Sequence, residues 1–264
     1  MNRISIRHRS ESVCPSIVHA NGVAKTRMWD FIKKQFFLTT GQFSPVSDHA
    51  QQQDWTKKLT VLTWNTSGKQ GTFEQSCRVL GVPAYAIKGN VKQPNNRTRI
   101  TYPVKVGLTC DVLKEIKTEF VMLVDSYDAL ILESPARVID CFLHNFEHND
   151  VVFGAEKGCF PPAVKTKVEE GYVKLGIDRP YLNSGFCIGR TSNVANIYSK
   201  AKEVGDSWDY EKNGILTDQG AIKSVDDDRV QIDTLSRMCL NLYGTNPGEL
   251  EILYVNNGIR LETV

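Results

Sequence analysis

The segment FVMLVDSYDALIL, residues 120–132, constrains the fold more than any other part of the sequence. A run of apolar residues leads to Asp125, and after Asp128 the chain returns at once to Ala-Leu-Ile-Leu. Carboxylates are strongly disfavoured within a buried apolar run unless a partner pairs or coordinates them. The pattern therefore predicts a buried strand that ends in two acids, for which a divalent cation is a suitable partner. A solvated turn is the alternative.

Strand-like and helix-like segments alternate along most of the chain. LTVLTW, AYAIKG, EFVMLVD, DVVFGAE and YLNSGFCIG have the composition of strands. FEQSCRVLG, VKVGLTCDVLKEI, ARVIDCFLHNF and NVANIYSKAKEVG have helical spacing. This alternation predicts an α/β fold in which helices sandwich a mainly parallel sheet. Ligands bind such sheets beyond the carboxyl ends of the strands, and Asp125 and Asp128 stand at such an end.

The composition is that of a globular protein, with 264 residues and a formal net charge of +2. No apolar run is long enough to span a membrane, and the basic start lacks the apolar core of a secretory signal. The seven cysteines are odd in number and include no CxxC pair, which favours reduced thiols over a disulfide framework or a zinc site. We therefore expect a soluble, cytoplasmic protein.

The N-terminal region differs from this alternating body. Residues 1–38 are predicted to form a strand, a glycine turn and a helix, and the polar stretch 39–57 a linker. The body comprises residues 58–264. Because a strand–turn–helix piece is too small to form its own core, we expect it to dock on the body as part of one domain.

Further polar residues stand at the ends of predicted strands. Glu156 ends DVVFGAE, and YLNSGFCIG contains Asn183, Ser184 and Gly185, a glycine that permits close backbone approach to a sugar or phosphate. Asp218 in LTDQG is suited to orient or deprotonate an acceptor hydroxyl. The alternative role for this segment is a helix N-cap.

Taken in order, LTVLTW, FVMLVDSYDALIL, DVVFGAEKGCFPP, YLNSGFCIGR, LTDQ and IDTLSRMCLNLYG resemble the glycosyltransferase domain of the procollagen lysyl hydroxylase family, over about residues 58–264. VDSYDALIL and YLNSGFCIG are the most specific parts. The resemblance implies a GT-A fold, a UDP-sugar donor and Mn²⁺, with Mg²⁺ as the alternative ion. The donor contacts that it implies are Thr63, Asn65, Lys105, Asp125, Ser126, Tyr127, Asn183, Ser184 and Gly185. The catalytic residues that it implies are Asp218 and Glu156.

HANGVAK, residues 19–25, resembles a segment that closes the domain in that family and supplies a histidine to the metal and a lysine to the diphosphate. Here it stands at the front, and the chain end LEILYVNNGIRLETV looks like the strand that should lead into it. We infer a circular permutation, which domains with adjacent termini tolerate. The implied metal ligands are then His19, Asp125 and Asp128, and further donor contacts are Gly22 and Lys25. The alternative is that residues 1–38 are the tail of another module.

Departures from the family leave the acceptor open. Phe160 stands where the family usually has Trp, and Ser236 where it has Cys. Two basic stretches could follow a phosphate backbone. They comprise Arg3, Arg7, His8 and Arg9 at the start and Lys88, Lys92, Arg97 and Arg99 before Lys105.

A 5-hydroxymethylpyrimidine in DNA, as in modified bacteriophage genomes, is the favoured acceptor, and a base in a duplex would be flipped out. For a phage-encoded chain the location would be the host cytoplasm. Hydroxylysine, another protein acceptor or a small glycoside are the alternatives. Two other classes stay open, a non-catalytic module that binds a nucleotide-sugar and a nucleotidyltransferase using the NTSGKQGTF loop.

Overall fold

The computed structural model describes residues 3–9, 13–21, 27–40, 55–65, 69–88, 102–161, 164, 174–209, 216–256 and 259–261. The strands are β1 Arg3–His8, β2 Ile17–His19, β3 Leu59–Trp64, β4 Ala84–Ile87, β5 Phe120–Asp125, β6 Ala129–Ile131, β7 Val151–Glu156, β8 Tyr181–Arg190, β9 Val230–Ile232, β10 Cys239–Asn241, β11 Leu250–Asn256 and β12 Ile259–Leu261. The helices are α1 Arg27–Thr40, α2 Thr72–Val79, α3 Tyr102–Glu115, α4 Pro135–Asn145, α5 Thr191–Asp206 and α6 Asp218–Lys223, with a 3₁₀ turn at Pro247–Glu249. Within these ranges, no helix is long and apolar enough to cross a membrane.

A mixed, mainly parallel sheet forms the centre of the fold. Its strands follow the order β4–β3–β5–β8–β7–β10–β2–β6, and β9 pairs with β7. The antiparallel pairs are β8 with β5 and with β7, and β6 with β2, whereas the other neighbours are parallel. The prediction of an α/β fold with a GT-A-like sheet is thereby confirmed.

Helices cover both faces of this sheet because the strands carry apolar side chains on both sides. On one face α3, α5 and α6 pack against alternate residues of β5, including Val121 and Leu123. On the other face α2 and α4 pack against the residues between them, including Phe120 and Met122. A strand buried on both sides has a continuous apolar run, which is why β5 was recognisable in the sequence.

The N-terminal segment is built into the same fold. β2 lies between β10 and β6, and β1 pairs antiparallel with β11. Trp29, Ile32 and Phe36 of α1 are buried in a third apolar cluster, together with residues of β1, β6 and β10. α1 extends to Thr40, two residues into the predicted linker, whereas residues 41–54 lie outside the described part.

β1 was not predicted, and its role corrects the interpretation of the basic start. RISIRH alternates polar and apolar residues, and Ile4 and Ile6 are fully buried. His8 is buried as well, and Arg7 lies 2.9 Å from Glu251 of β11. Arg7 and His8 therefore serve the fold and not an open phosphate-binding surface.

Candidate metal and donor site

Three potential metal ligands meet at the carboxyl ends of β2 and β5. His19 Nε2 lies 3.5 Å from Asp125 Oδ2 and 3.6 Å from Asp128 Oδ1. One ligand atom from each of the three residues lies within 4.8 Å of the others. His19 is 1% exposed; its Nε2 faces the two carboxylates, and its Nδ1 has no hydrogen-bond partner in the described part of the chain. Two hard oxygens and one imidazole nitrogen form a donor set suited to a divalent transition-metal ion.

Backbone contacts hold these residues in place. Ala20 N donates to Asp128 O at 2.7 Å, and Leu242 N donates to His19 O at 2.8 Å. The first bond ties the DSYD turn to the end of β2, and the second ties β2 to the residue after β10. His19 therefore enters the site from a strand end that is fixed on both sides.

Gly185 is required by the histidine. A Cβ at this position would lie 2.2 Å from His19 Cε1 and 2.7 Å from Nδ1, both far inside van der Waals contact. In the described structure, the His19 ring makes a close approach at this glycine. The glycine of the body and the histidine of the N-terminal segment fit each other.

The two carboxylates dominate the electrostatics of His19. Burial lowers the pKa of its imidazole, but hydrogen bonding and charge interaction with Asp125 and Asp128 together raise the pKa to about 10. Burial raises the pKa of Asp125, but Lys105 and His19 outweigh this and hold it well below its usual range. In the absence of a metal ion, a proton on His19 partly neutralises the two acids, so a cation has to displace that proton.

Lys105 joins the metal site to Asp218. Its Nζ lies 3.0 Å from Asp125 Oδ1 and 2.7 Å from Asp218 Oδ2, and 4.0 Å from the centroid of the Trp64 ring. Burial lowers the pKa of Lys105, but the charges of Asp125 and Asp218 more than offset this and raise it. The lysine is therefore a fixed cation in the floor of the site.

Asp218 is not the N-cap of its helix. Thr217 fills that role, because its hydroxyl accepts from Gly220 N at 3.0 Å. The Asp218 carboxylate instead accepts from Ser184 Oγ at 3.0 Å, in addition to its ion pair with Lys105. The acid is therefore oriented into the cavity by two fixed partners.

Glu156 is the centre of an amide network. Its carboxylate accepts from Asn21 at 2.7 Å, Asn183 at 3.0 Å and Gln219 at 2.5 Å. Burial raises the pKa of Glu156, and these hydrogen bonds and the charge of Lys223 oppose the rise. Sequence reasoning named Glu156, Asn183 and Gln219 but missed Asn21, a residue type that is common in turns.

Three of the predicted donor contacts, Asn65, Ser126 and Tyr127, form a second polar cluster around Glu74. Glu74 Oε2 accepts from Asn65 Nδ2 at 2.6 Å and from Ser126 Oγ at 2.9 Å, and Tyr127 OH donates to Asn65 Oδ1 at 2.7 Å. Thr63 is fully buried and donates to Val124 O at 2.7 Å. The geometry thus gives Thr63 and Ser126 structural bonds, whereas Tyr127 keeps 39% of its surface exposed.

A cavity of about 640 Å³ opens over the metal ligands. Its volume lies within the range of about 300–1,000 Å³ that is usual for small-molecule sites. Besides the predicted residues, Tyr243 and the 59% exposed Phe160 line it. Gly22 and Lys25, and Lys92, Arg97 and Arg99 of the basic loop, lie outside the described residues.

The model of the PLOD GT domain family matches residues 55–261, more than three quarters of the chain. The multifunctional procollagen lysine hydroxylase and glycosyltransferase LH3 of Rattus norvegicus is 28% identical over 147 residues, which are 54% of this chain and 18% of that protein. LH3 of Homo sapiens is 27% identical over 147 residues, with the same shares of 54% and 18%. The matched region thus spans less than a fifth of the length of these curated relatives.

Two solved structures are also similar. One is 4-diphosphocytidyl-2C-methyl-D-erythritol synthase from Anaerococcus prevotii, with 12% identity, coverage of 67% of this chain and 88% of that chain, and a TM-score of 0.32. The other is the glycosyltransferase GlyE from Streptococcus pneumoniae, with 11% identity, coverage of 66% and 45%, and a TM-score of 0.34. Because the family model matches more than three quarters of the chain, including Asp125, Asp128 and the strands from β3 to β12, this chain belongs to the PLOD GT domain family of glycosyltransferases.

Proposed function

We propose that this glycosyltransferase moves a hexose, glucose or galactose, from a UDP-sugar to an acceptor hydroxyl in a Mn²⁺-dependent reaction. The observation that carries the proposal is the convergence of His19, Asp125 and Asp128 at the floor of the cavity. The buried His19 ring supports a metal site, since its Nε2 faces two carboxylates and buried polar atoms such as Nδ1 rarely lack a partner, as it does among the described residues. The imidazole favours Mn²⁺ over Mg²⁺, which prefers oxygen ligands alone.

When bound, the ion would supply Lewis-acid stabilisation of the charge that develops on the leaving diphosphate. Lys105 adds a fixed positive charge beside Asp125. Such a preorganised charge is worth more in a partly buried site than in water, because the protein does not have to reorganise around it. Lys25 is proposed as a second cation at the diphosphate.

Asp218 is proposed to orient the acceptor hydroxyl and to take its proton. Ser184 and Lys105 fix the carboxylate on the cavity wall, in position to meet an acceptor that enters from solvent. We propose that Glu156 acts through its neighbours and not by direct contact with the substrate, since it is 2% exposed and its carboxylate already accepts three hydrogen bonds. It holds Asn21 and Asn183 on the cavity wall, where they can contact the sugar.

For the donor base we propose the surface around Tyr127 and Asn65, which the Glu74 cluster makes rigid. It adjoins Asp125 at the end of β5, so a nucleotide bound there would direct its diphosphate to the metal ligands. Ser126 contributes through its bond to Glu74. Gly22 is proposed to approach the diphosphate from the turn after His19.

A circular permutation accounts for the arrangement of the N-terminal segment. The matched region, 55–261, excludes His19, yet the His19 ring packs against Gly185 of that region. The two ends of the chain also meet, because Arg3 and Arg260 both pair with Val255 of β11. These two residues lie on opposite sides of β11 and are therefore about 10 Å apart, two strand spacings, so a short connection could join them.

A 5-hydroxymethylpyrimidine in DNA remains the proposed acceptor. Exposed Lys88 and Arg9 support it, whereas the buried His8 and the paired Arg7 do not. Hydroxylysine and small glycosides are therefore included as acceptor arms of the same experiment. A non-catalytic nucleotide-sugar-binding module is the outcome if no acceptor and no hydrolysis is found.

The test is UDP release from UDP-glucose and UDP-galactose with Mn²⁺, measured with hydroxymethylated DNA, a hydroxylysine peptide or a small glycoside. Acceptor-dependent release that is lost in Asp125→Ala supports the proposal. Asp111→Ala is the matched control, because this exposed acid on α3 pairs only with Lys114 in the described structure. Metal-independent release, or equal release by Asp125→Ala, contradicts the metal-dependent mechanism. Stimulation by the peptide or glycoside alone refutes the DNA acceptor.

A further inference from the structure

Asn241, the last residue of β10, is a buried amide without a partner. Its side chain is 0% exposed, and both Oδ1 and Nδ2 lack a hydrogen bond in the described part of the chain. A buried polar group without a partner destabilises a fold, because it loses its hydrogen bonds to water and gains none in return. We therefore expect an unpaired amide in the interior of a sheet to have a function that offsets the loss of stability.

The strand register places Asn241 beside His19. β10 and β2 are parallel, and Asn241 is the direct Cα partner of His19. Partners on neighbouring strands project to the same face of a sheet and are separated by about 4.8 Å between strands.

His19 Nδ1 can donate a hydrogen bond and requires an acceptor. It is buried and has no partner among the described residues, while Nε2 points toward the two carboxylates. A histidine that binds metal through one ring nitrogen almost always donates the other N–H to a fixed acceptor, which sets the tautomer and the ring orientation. Asn241 Oδ1 is an acceptor of this kind.

We propose that Asn241 is a positioning residue for the metal site, in which its Oδ1 accepts from His19 Nδ1–H and so directs Nε2 at the ion. The inference rests on the proposed metal dependence. β7, the other neighbour of β10, ends in Glu156, whose carboxylate can accept from Asn241 Nδ2. Glu156, Asn241 and His19 then form a row across three parallel strands beneath the cavity.

The experiment measures Mn²⁺ affinity by titration calorimetry with UDP present, and thermal unfolding of the metal-free protein, for Asn241→Leu and Asn241→Asp. Asn241→Leu should weaken Mn²⁺ binding by about 10- to 100-fold, the usual effect of losing such a partner. It should leave the Tm of the metal-free protein unchanged or raised, because an unpaired amide is replaced by an apolar group of similar size. Asn241→Asp retains an acceptor for Nδ1–H and should bind within a few-fold of wild type.

Asn145→Leu is the matched control, since it makes the same substitution at an exposed position of α4. Wild-type Mn²⁺ affinity in Asn241→Leu, or a lower Tm of its metal-free form as the only change, overturns the positioning role and leaves the proposed function intact. Failure of the wild-type protein to bind Mn²⁺ overturns both, and this result is distinguished by the wild-type titration itself.

Discussion

Gly185→Ala perturbs the proposed metal site without removing any ligand. The added Cβ would lie 2.2 Å from His19 Cε1. Optimal carbon–carbon contacts are about 3.5–4.0 Å, so the ring or β8 must move by roughly 1.3 Å or more. Metal–ligand distances in proteins tolerate only about 0.2 Å, so the histidine would leave the coordination sphere.

The magnitudes follow from this displacement. Overpacking of this kind typically costs about 1–3 kcal/mol of stability, which lowers Tm by about 2–4 °C for each kcal/mol in a chain of this size. Misplacement of a catalytic group by about 1 Å can reduce turnover by about 100-fold. We therefore expect a folded protein with a modestly lower Tm and severely weakened Mn²⁺ binding and activity.

The assay combines Mn²⁺ titration with thermal unfolding, and the chain offers a matched control. A Cβ at Gly107 of α3 meets no atom within 4 Å, so Gly107→Ala should keep wild-type Mn²⁺ affinity and gain about 0.5–1 kcal/mol of stability. In the double variant with His19→Ala the clash is relieved, so the two stability losses should not add. Additive losses, or a Gly185→Ala protein that binds Mn²⁺ normally, would refute the proposed contact.

Three further predictions concern individual charges. The pKa of His19 is raised from 6.5 to about 10 in the metal-free protein. Its contribution to stability is therefore fully present below pH 6.5 and disappears as the pH rises through 10. This loss of stability, measured by urea unfolding, should be absent in His19→Ala. Asp218→Asn should lower acceptor-dependent turnover by about 100- to 10,000-fold, the usual contribution of a general base. Its Mn²⁺ affinity should stay unchanged. Normal turnover in this variant would exclude Asp218 as the base. Asp233→Ala should destabilise the fold by roughly 3 kcal/mol or more. The reason is that the Asp233 carboxylate accepts from three backbone N–H groups that lead into β10. A loss of stability below about 1 kcal/mol in chemical unfolding would contradict this.

The central strands were predictable because buried strands consist mainly of apolar residues. β5 and β7 are almost entirely buried, so each is a nearly continuous apolar run, and the acid at the end of each stands out against it. For the same reason Asp125, Asp128 and Glu156 were identifiable as site residues.

The rest depends on contacts that local sequence does not encode. Three-residue strands such as β6 and β10 are too short to show the two-residue alternation of a strand. β1 was not recognised because its alternating apolar residues stand between basic ones. The pairing of β2 with β10 joins opposite ends of the chain, so His19 was linked to the acids only through the family resemblance. The reason for Gly185 became visible only when the His19 ring was placed against it.

The most direct test of the account is a crystal structure of the protein soaked with Mn²⁺ and UDP, with anomalous scattering recorded at the manganese absorption edge. The account predicts one anomalous peak bonded to His19 Nε2 and to a carboxylate oxygen each of Asp125 and Asp128, with the UDP phosphates on its open side. No peak at this position, or a peak that the two acids hold while His19 stays unbound, would contradict it.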